Sequence, residues 1–378
     1  MECVAMDRVA MTREVDTADQ PNMIAHARPL SLCVINFNGQ HILRATLEAL
    51  LQGCMAGDEL LLVDSASTDA SMSVVEQSFP DIRIIRLPVN GGPAAARNGG
   101  FAAASHSRIL FVDNDIRIHP HCPALLSRAL DERPDACFVV PRVLYAGDPR
   151  TIQFEGADTH FTGLMSLSHA DRPAAGCDPS LHRRGSLVTA CFLVDRDRWR
   201  GGSLFDESFV FNLEDHDLGV RARVFGHEIL SLGTALAYHG EGTEGLSHRP
   251  GGVYSKRRVY YLIRNRWQIL IKSYAVRSLF LLLPALLIYE IFQFVGVVRK
   301  GWLGSWLKAA GWILLHSPAC LTKRRGIQRR RRVNDCDILV GGPLPFTQDL
   351  ARTGIDRLAC GLLNRVLAGY WNFVGRLL

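Results

Sequence analysis

Apolar segments alternate with segments of helical spacing in the first third of the chain, and this alternation constrains the fold more than any other feature. The runs 58–64 and 108–113 have the length and apolar character of buried strands. Segment 40–53 carries apolar residues at helical spacing, and 90–105 forms a helix-like stretch bracketed by glycines. Strands that alternate with helices predict an α/β fold, with a doubly wound, mostly parallel sheet and helices on both faces.

Polar side chains follow the predicted strands where each of them ends. Asn36 and Asn38 follow the first strand, Asp64 ends the second, and Asp113 and Asp115 follow the fourth. In a doubly wound sheet, ligands bind beyond the carboxyl ends of the strands. The sequence therefore predicts a binding site at this edge of the sheet.

The two aspartates of the stretch VDND indicate a cation site. Alternate residues of an extended chain point to the same side, so Asp113 and Asp115 would repel each other. A divalent metal, Mg²⁺ or Mn²⁺, neutralises such a pair, with substrate phosphates completing its coordination. The alternative is a solvated turn in which Asn114 and the aspartates are turn-forming residues.

A second acidic cluster precedes a predicted helix near residue 214. Glu214, Asp215 and Asp217 fall within four positions, and acidic residues in a first helical turn are favoured by the helix dipole alone. The functional alternative is a general base that removes a proton from an attacking hydroxyl. His239 follows a short apolar strand and precedes a glycine-rich turn, which would expose it.

The glycine-bracketed segment 90–105 does not fit the known phosphate-binding loop patterns. Its glycines are better explained by close packing and a tight turn. We nevertheless expect Arg97 of this segment to lie near the bound ligand.

The region from 255 to 335 is basic and apolar, with 17 Lys and Arg against two acidic residues. The stretch 278–298 is long enough to span a bilayer, but it contains Pro284 and Glu290. A span would also place basic flanks on both sides of the membrane, against the positive-inside tendency. We therefore expect this region to associate with the membrane as a monotopic or re-entrant segment, with a single span as the alternative.

The stretch KRRGIQRRRR, residues 323–332, carries seven positive charges. Such clusters bind anionic lipid headgroups, and we expect an anionic membrane surface as a partner. Nucleic acid could use the same charges, but the aromatic pattern of an RNA-binding module is missing from the sequence, so no nucleic-acid partner is expected. Ten scattered cysteines form no C-x-x-C pair, so no zinc or redox motif is indicated.

Six motifs together resemble the family 2 glycosyltransferases, most closely the rhamnosyltransferase-like branch that builds bacterial surface polysaccharides. In chain order within residues 29–245 they are VINFNG, LLVDSASTDAS, VNGGPAAARNGG, LFVDNDI, LEDHDLGVRARVFGHEI and AYHGEG. Ala70 departs from the family, which often has glycine at that position.

The resemblance implies a GT-A fold and a metal-dependent, inverting transfer of a sugar from a nucleoside-diphosphate sugar to a glycan or polyprenyl-linked acceptor. The resemblance to that branch suggests rhamnose as the sugar. It also implies roles for individual residues: Asp64, Asn36 and Asn38 at the nucleotide, Asp115 on the metal, Asp113 on the ribose or the metal, Asp215 as the base with Glu214 in support, and His239 at the metal or the diphosphate.

These predictions divide the chain into four parts: a disordered leader over 1–28, a GT-A domain over 29–250, basic apolar membrane-associated helices over 251–335 and an amphipathic tail over 336–378. The expected location is the cytoplasmic face of the inner membrane. A sugar-nucleotide nucleotidyltransferase would need a basic glycine-rich loop after the first strand, which INFNGQHIL lacks. A non-catalytic nucleotide-sugar or lipid-binding membrane protein is the other alternative, and the intact acidic pair at 214–215 argues against it.

Overall fold

The computed structural model describes residues 25–240, 255–344, 346 and 353–378. Most of the predicted leader, residues 1–24, and the predicted domain boundary at 250 lie outside these residues. The strands in the described part are β1 Leu30–Asn36, β2 Glu59–Asp64, β3 Arg83–Arg86, β4 Arg108–Asp113, β5 Ile116–Ile118, β6 Ala136–Tyr145, β7 Asp148–Phe154, β8 Ala157–His160, β9 Met165–Leu167, β10 Leu181–Arg184, β11 Cys191–Asp195, β12 Glu228–His239 and β13 Leu339–Val340. The α-helices there are α1 Leu43–Gly53, α2 Ser71–Ser78, α3 Pro93–Ala103, α4 Cys122–Glu132, α5 Glu214–Val224, α6 Lys256–Ser273, α7 Val276–Arg299, α8 Leu303–Arg329 and α9 Gly354–Val374.

A ten-stranded sheet forms the centre of the molecule. Its main path is β10-β12-β6-β11-β4-β1-β2-β3, with β5 and β7 paired to β12 and β6. Strand β1 pairs in parallel with β2 and β4, and β6 pairs in parallel with β12. Strand β11 lies antiparallel between β4 and β6, so these two strands run in the same direction. The predicted α/β fold with a central sheet is confirmed. The sheet is parallel from β4 through β1 and β2 to β3 and mixed on the other side of β4.

Helices cover both faces of this sheet because alternate residues of its strands are apolar on both sides. Leu32 and Val34 of β1 pack with the apolar sides of α1, α2 and α4. Cys33 and Ile35 face the opposite layer, where α3, α5 and residues of α6 to α9 complete a second core. A strand that is buried on both faces is a continuous apolar run, and this explains why the sequence signal for β1 was strong.

The segment 146–184 has little periodicity in the sequence, a pattern that is typical of loops, but it is not mainly loop. It contains β7, β8, β9 and β10. Two of these strands pair with distant parts of the chain: β8 with β13, and β10 with β12. Short strands whose partners are far away in the sequence leave little local periodicity, so a local pattern does not indicate them.

The C-terminal helices pack against the sheet domain. Helices α7 and α9 run antiparallel: Tyr370 Oη donates to the Leu281 carbonyl at 2.6 Å, and Arg277 donates to the Leu377 carbonyl at 2.8 Å. The Trp371 ring stacks on Phe161 with 5.0 Å between ring centroids. The predicted amphipathic tail is thus a helix with one face docked on the protein.

Helix α7 is long and apolar enough to cross a membrane by length and composition, and it is the one helix among the described residues that meets this criterion. It also packs on the protein along one side. Glu290 accepts hydrogen bonds from Arg266 and, at 2.9 Å, from Trp267 Nε1. The acidic residue inside the apolar stretch is therefore neutralised by helix α6.

The outer sides of α7 and α9 each carry a stripe of exposed apolar residues at helical spacing. The stripe on α7 consists of Val276, Phe280, Leu283, Leu287, Ile291, Val295 and Val298, and the stripe on α9 of Ile355, Leu358, Leu362, Val366 and Phe373. Contiguous apolar surface of this kind marks a protein or membrane contact.

Several basic residues that were expected to meet lipid are turned into the protein instead. Lys272 is fully buried, where it pairs with Asp206 at 2.6 Å and with Asp217 at 2.9 Å. In the cluster 323–332, Lys323 also pairs with Asp206 at 2.6 Å, and Arg324 donates to carbonyls near the end of α6. Part of the positive charge of this region therefore stabilises its own fold, which the charge count did not reveal.

Candidate active site

One cavity of about 1550 Å³ lies beyond the carboxyl ends of β1 and β4. It reaches the N-terminus of α5 and continues between α7 and α9. The predicted site residues that line it are Asn36, Arg97, Asp113, Asp115, Glu214 and Asp215. The structure therefore brings side chains from four separate segments of the chain to one space, as expected from the strand ends.

Asn36 and Asp64 form a buried polar corner at the ends of β1 and β2. Asn36 Nδ2 donates to Asp64 Oδ1 at 3.1 Å, and Asp64 Oδ2 accepts from the Ser67 amide at 3.0 Å. Asn38 joins the same corner, because its amide donates to Ser67 Oγ at 2.9 Å and its Oδ1 accepts from the Thr68 amide at 2.8 Å. Asp64 is only 3% exposed and, unlike Asn36, is not among the residues that line the cavity, so it contributes to the corner through its hydrogen bonds.

Arg97 lies between the two acidic motifs. This buried side chain donates to Asp113 Oδ1 at 2.6 Å and lies 3.6 Å from Glu214 Oε1. It therefore neutralises one carboxylate at the end of β4 and another at the start of α5. Sequence reasoning placed Arg97 near the ligand, and the structure shows that it also connects the two acidic groups.

Asp115 and His239 form a separate pair beside Asp113. His239 Nε2 lies 3.0 Å from Asp115 Oδ2, and its Nδ1 lies 2.6 Å from Gln153 Oε1. An amide oxygen accepts only, so Nδ1 carries a proton and Nε2 is directed at Asp115. Burial lowers the pKa of His239, but the hydrogen bond and charge of Asp115 outweigh this and raise it.

The Asp115–His239 pair fits a divalent cation. Neighbouring ligands of a six-coordinate ion, each about 2.1 Å from the metal, are about 3 Å apart. Gln153 fixes the ring orientation of His239 in the way that outer partners orient metal-binding histidines. Within the described ranges, no three acidic, His or Cys side chains converge on one point. The expected set of Asp113, Asp115 and His239 is thus not one three-ligand group, and donor phosphates would have to supply the remaining positions.

Glu214 and Asp215 begin helix α5 and face the cavity together. Burial, followed by the charge of Asp215, raises the pKa of Glu214 to about 7. Burial also raises the pKa of Asp215 to about 6, while the amide of His216 and the charge of Arg97 oppose the increase. A carboxylate whose pKa lies near neutrality is suited to accept a proton during a reaction.

The backbone that leads into this acidic pair is strained. Val210, Asn212 and Leu213 have φ values of 59°, 59° and 62°. Left-handed non-glycine residues cost about 1–3 kcal/mol each and persist only where the surroundings hold them. Gly92 is required on the opposite side, because a Cβ there would lie 2.1 Å from the Val210 carbonyl oxygen.

Helix α6 holds this strained loop through two buried side chains. Asn265 Nδ2 lies 3.0, 2.9 and 2.6 Å from the carbonyls of Phe209, Phe211 and Asn212. Arg264 donates at 2.8 Å to the Phe209 carbonyl. The position of Asp215 therefore depends on a helix of the C-terminal region. Sequence reasoning missed Asn265, because it belongs to no motif and its burial is visible only in the folded chain.

Comparisons with known proteins match part of this chain to glycosyltransferases. Residues 31–176 match the family described as "Glycosyl transferase family 2". The chain is 26% identical over 117 residues to the uncharacterized glycosyltransferase YibD of Escherichia coli, which covers 30% of this chain and 34% of YibD. It is 30% identical over 118 residues to the succinoglycan biosynthesis protein ExoO of Rhizobium meliloti, which covers 31% of this chain and 32% of ExoO. These matches span about a third of each relative's length.

Among solved structures, the mannosyltransferase PcManGT of Pyrobaculum calidifontis, in complex with GDP-Man and Mn²⁺, has a similar fold. The TM-score is 0.50 at 15% sequence identity, covering 93% of this chain and 88% of the mannosyltransferase. This likeness extends over the sheet domain and the helices that follow it. It supports the predicted GT-A-type architecture.

Proposed function

We propose that this chain, which carries a glycosyl transferase family 2 domain over residues 31–176, transfers a sugar from a nucleoside-diphosphate sugar to an acceptor hydroxyl with inversion at the anomeric carbon. One observation carries the proposal. Two pairs of side chains belong to the same site. The first pair, Asp115 and His239, fits a divalent cation, and the second pair, Glu214 and Asp215, has raised pKa values. Leaving-group stabilisation and proton removal can therefore act on one substrate.

The donor would occupy the sheet side of the cavity. Asn36, Asn38 and Asp64 form the corner for the nucleoside, and Asp113 is available to the ribose or the metal. PcManGT was solved with a sugar nucleotide and Mn²⁺, which supports Mg²⁺ or Mn²⁺ as the cofactor here. When bound by Asp115 and His239, the ion would neutralise the charge that develops on the departing diphosphate.

The acceptor would be activated by Asp215. Its carboxylate removes the proton from the acceptor hydroxyl as the oxygen bonds to the anomeric carbon, while the sugar–phosphate bond breaks and its electron pair leaves with the diphosphate. Glu214 would support Asp215 as its neighbour at the start of α5. The charge of Arg97 favours the ionised form of Asp215, whereas the charge of Asp113 opposes it. The pKa of about 6 leaves Asp215 ionised at neutral pH and still able to accept a proton.

The biological setting follows from the relatives and from the helices. ExoO is named for succinoglycan biosynthesis, and this supports a role in cell-surface polysaccharide synthesis. The donor sugar in this setting would be a hexose such as rhamnose, and the acceptor a glycan or a polyprenyl-linked sugar. The apolar stripes of α7 and α9 would place the protein as a monotopic enzyme on the cytoplasmic face of the inner membrane.

A donor panel tests the proposal. The purified protein is incubated with labelled nucleotide sugars, with a membrane extract as the source of acceptor and with or without Mn²⁺. The expected result is metal-dependent release of a nucleoside diphosphate with one donor, together with a labelled glycan, and no release by Asp215→Asn. Release of pyrophosphate would indicate a nucleotidyltransferase instead, and absence of turnover with any donor would contradict the proposal.

A further inference from the structure

The cavity is larger than a nucleotide-sugar donor alone requires. Small-molecule sites enclose about 300–1000 Å³, whereas this cavity measures about 1550 Å³. The additional space extends from the acidic residues into a groove. One wall of this acceptor groove is the second half of α7, residues 288–300, and the other is the first half of α9, residues 356–366.

The acceptor groove opens sideways onto the apolar surface of the protein. Four exposed residues of the α7 and α9 stripes also line it: Ile291 at 65%, Val295 at 50%, Leu362 at 62% and Val366 at 42%. They belong to the stripes on α7 and α9, so the opening is apolar and lies in the face proposed to meet the membrane. A hydrophilic glycan would gain little from such walls, whereas an apolar chain would be removed from water.

The same cavity is also lined by basic residues. Arg257 and Arg258 in the first turn of α6 and Arg299 and Lys300 at the end of α7 line it. Arg257 stacks over the Phe211 ring, 5.6 Å from its centroid, and Phe211 belongs to the strained loop that precedes Asp215. An anionic group bound in this cavity would be matched by these cations, of which Arg299 also lies 3.6 Å from Asp356.

We infer that the acceptor groove receives the apolar chain of a lipid-phosphate-linked sugar acceptor, which enters sideways from the membrane and presents its sugar to Asp215. This inference rests on the proposed function and specifies its acceptor class. The phosphate lies among the basic residues, the chain lies between α7 and α9, and the acceptor hydroxyl points towards the base.

Two glycines provide a matched pair of variants. Gly296 of α7 lines the groove, and a Cβ added there meets no heavy atom within 4 Å, so Gly296→Trp adds bulk to the groove without displacing the fold. Gly361 of α9 is exposed and also has no atom within 4 Å of an added Cβ, but it does not belong to the described lining of the cavity. Replacing a helical glycine does not weaken a helix, so both variants should fold.

The experiment uses a long-chain polyprenyl phosphate with a photoreactive group on its chain, added to the full-length protein in vesicles. The expected result is cross-linking within 288–300 and 356–366, mapped by mass spectrometry. Gly296→Trp should reduce the labelling at least about tenfold, and Gly361→Trp should retain it. Unlabelled polyprenyl phosphate should compete, and phosphatidylglycerol at the same mole fraction should not.

Equal competition by phosphatidylglycerol would show that the groove holds ordinary bilayer lipid and would overturn the inference. So would labelling outside the groove, no labelling, or an equal response of the two variants. Nucleotide-sugar binding, measured in parallel by calorimetry, separates the two proposals. If donors do not bind while the groove is labelled as expected, the proposed function fails and lipid binding stands.

Discussion

The sheet edge and the C-terminal helices distribute their charges in opposite ways. At the sheet edge, carboxylates from β4 and α5 and from the turn between β4 and β5 face a cavity, with Arg97 as the buried cation between them. In the helices, cations such as Lys272 and Arg266 are buried and the outer sides are apolar. The first arrangement is suited to binding metal and phosphate, and the second to a surface that meets lipid. Helix α6 connects the two regions, because Asn265 holds the loop that precedes the acidic pair.

The largest effect is expected from Asp215→Asn at the sheet edge. The substitution removes the base and retains the size of the side chain, so transfer should fall by about 10²–10⁴ with donor affinity unchanged. Steady-state transfer and calorimetric donor binding measure the two quantities. Asp171→Asn is the matched control, because Asp171 lines the same cavity and accepts a hydrogen bond from Tyr145 at 2.8 Å. If Asp215→Asn transfers sugar at the rate of the unmodified protein, the base is assigned wrongly.

Removal of divalent metal should have the next largest effect. A chelator should reduce transfer by at least about 10², because the metal contributes several kcal/mol of charge stabilisation on the diphosphate. Added Mn²⁺ or Mg²⁺ should restore the rate. Asp115→Asn should raise the metal concentration needed for half-maximal activity, whereas Asp171→Asn should leave it unchanged. Full activity in the presence of chelator would show that transfer does not depend on a divalent metal.

Asn265→Ala tests the connection between the two regions. Loss of its hydrogen bonds, each worth about 0.5–1.5 kcal/mol, should loosen the strained loop and lower kcat by about tenfold with little change in donor KM. Gln328→Ala is the control, because its Nε2 contacts carbonyls of Lys272 and Ser273 at the other end of α6, both at 3.1 Å. The same loss of kcat in both variants would mean that α6 acts only through general stability.

The pH dependence of kcat/KM tests whether the pKa values of Glu214 and Asp215 are raised. Because the pKa of Asp215 is raised to about 6 and the base must be ionised, kcat/KM should reach a plateau at high pH. It should fall about tenfold per pH unit below about pH 6. The charge of Arg97 lowers the pKa values of Glu214 and Asp215, so Arg97→Met should move this decline to higher pH. A decline in kcat/KM centred near pH 4 would show that the pKa values of Glu214 and Asp215 are not raised.

The smallest effect on turnover is expected from the apolar stripes. Phe280 and Phe373 are 76% and 71% exposed and lie away from the acceptor groove. The double variant Phe280→Asp/Phe373→Asp should reduce flotation with anionic vesicles at least about tenfold, because each side chain contributes about 1.5–3 kcal/mol when buried. Nucleotide-sugar binding should stay the same. Leu51→Asp, on α1, is the control, and equal flotation of both variants would place the membrane contact elsewhere.

The sequence predicted the sheet edge well because its signals are local. Strands β1, β2 and β4 are apolar runs, and Asn36, Asp64 and Asp113 occur at strand ends where a parallel sheet brings them together. Strands β7 to β10 could not be predicted in the same way, because β8 and β10 depend on partners far away in the chain. Local pattern does not encode such pairing.

The supporting residues of the site were unpredictable for a related reason. Gln153 contacts His239 across 86 positions, and Asn265 contacts Asn212 across 53. Neither residue belongs to a motif, and only the folded chain shows what it holds. The basic residues of α6 gave a misleading signal, because a count of charges does not reveal which of them face the protein.

The central claim is that Asp115, His239, Glu214 and Asp215 act on one bound sugar nucleotide. Its most direct test is a crystal structure of the protein with Mn²⁺ and the nucleotide identified by the donor panel, with Mn²⁺ located by its anomalous scattering. We expect Mn²⁺ between Asp115 and the diphosphate. The nucleoside should lie beside Asn36, and Asp215 should face the site of the sugar. A nucleotide and Mn²⁺ bound away from Asp115, outside the cavity, would contradict it.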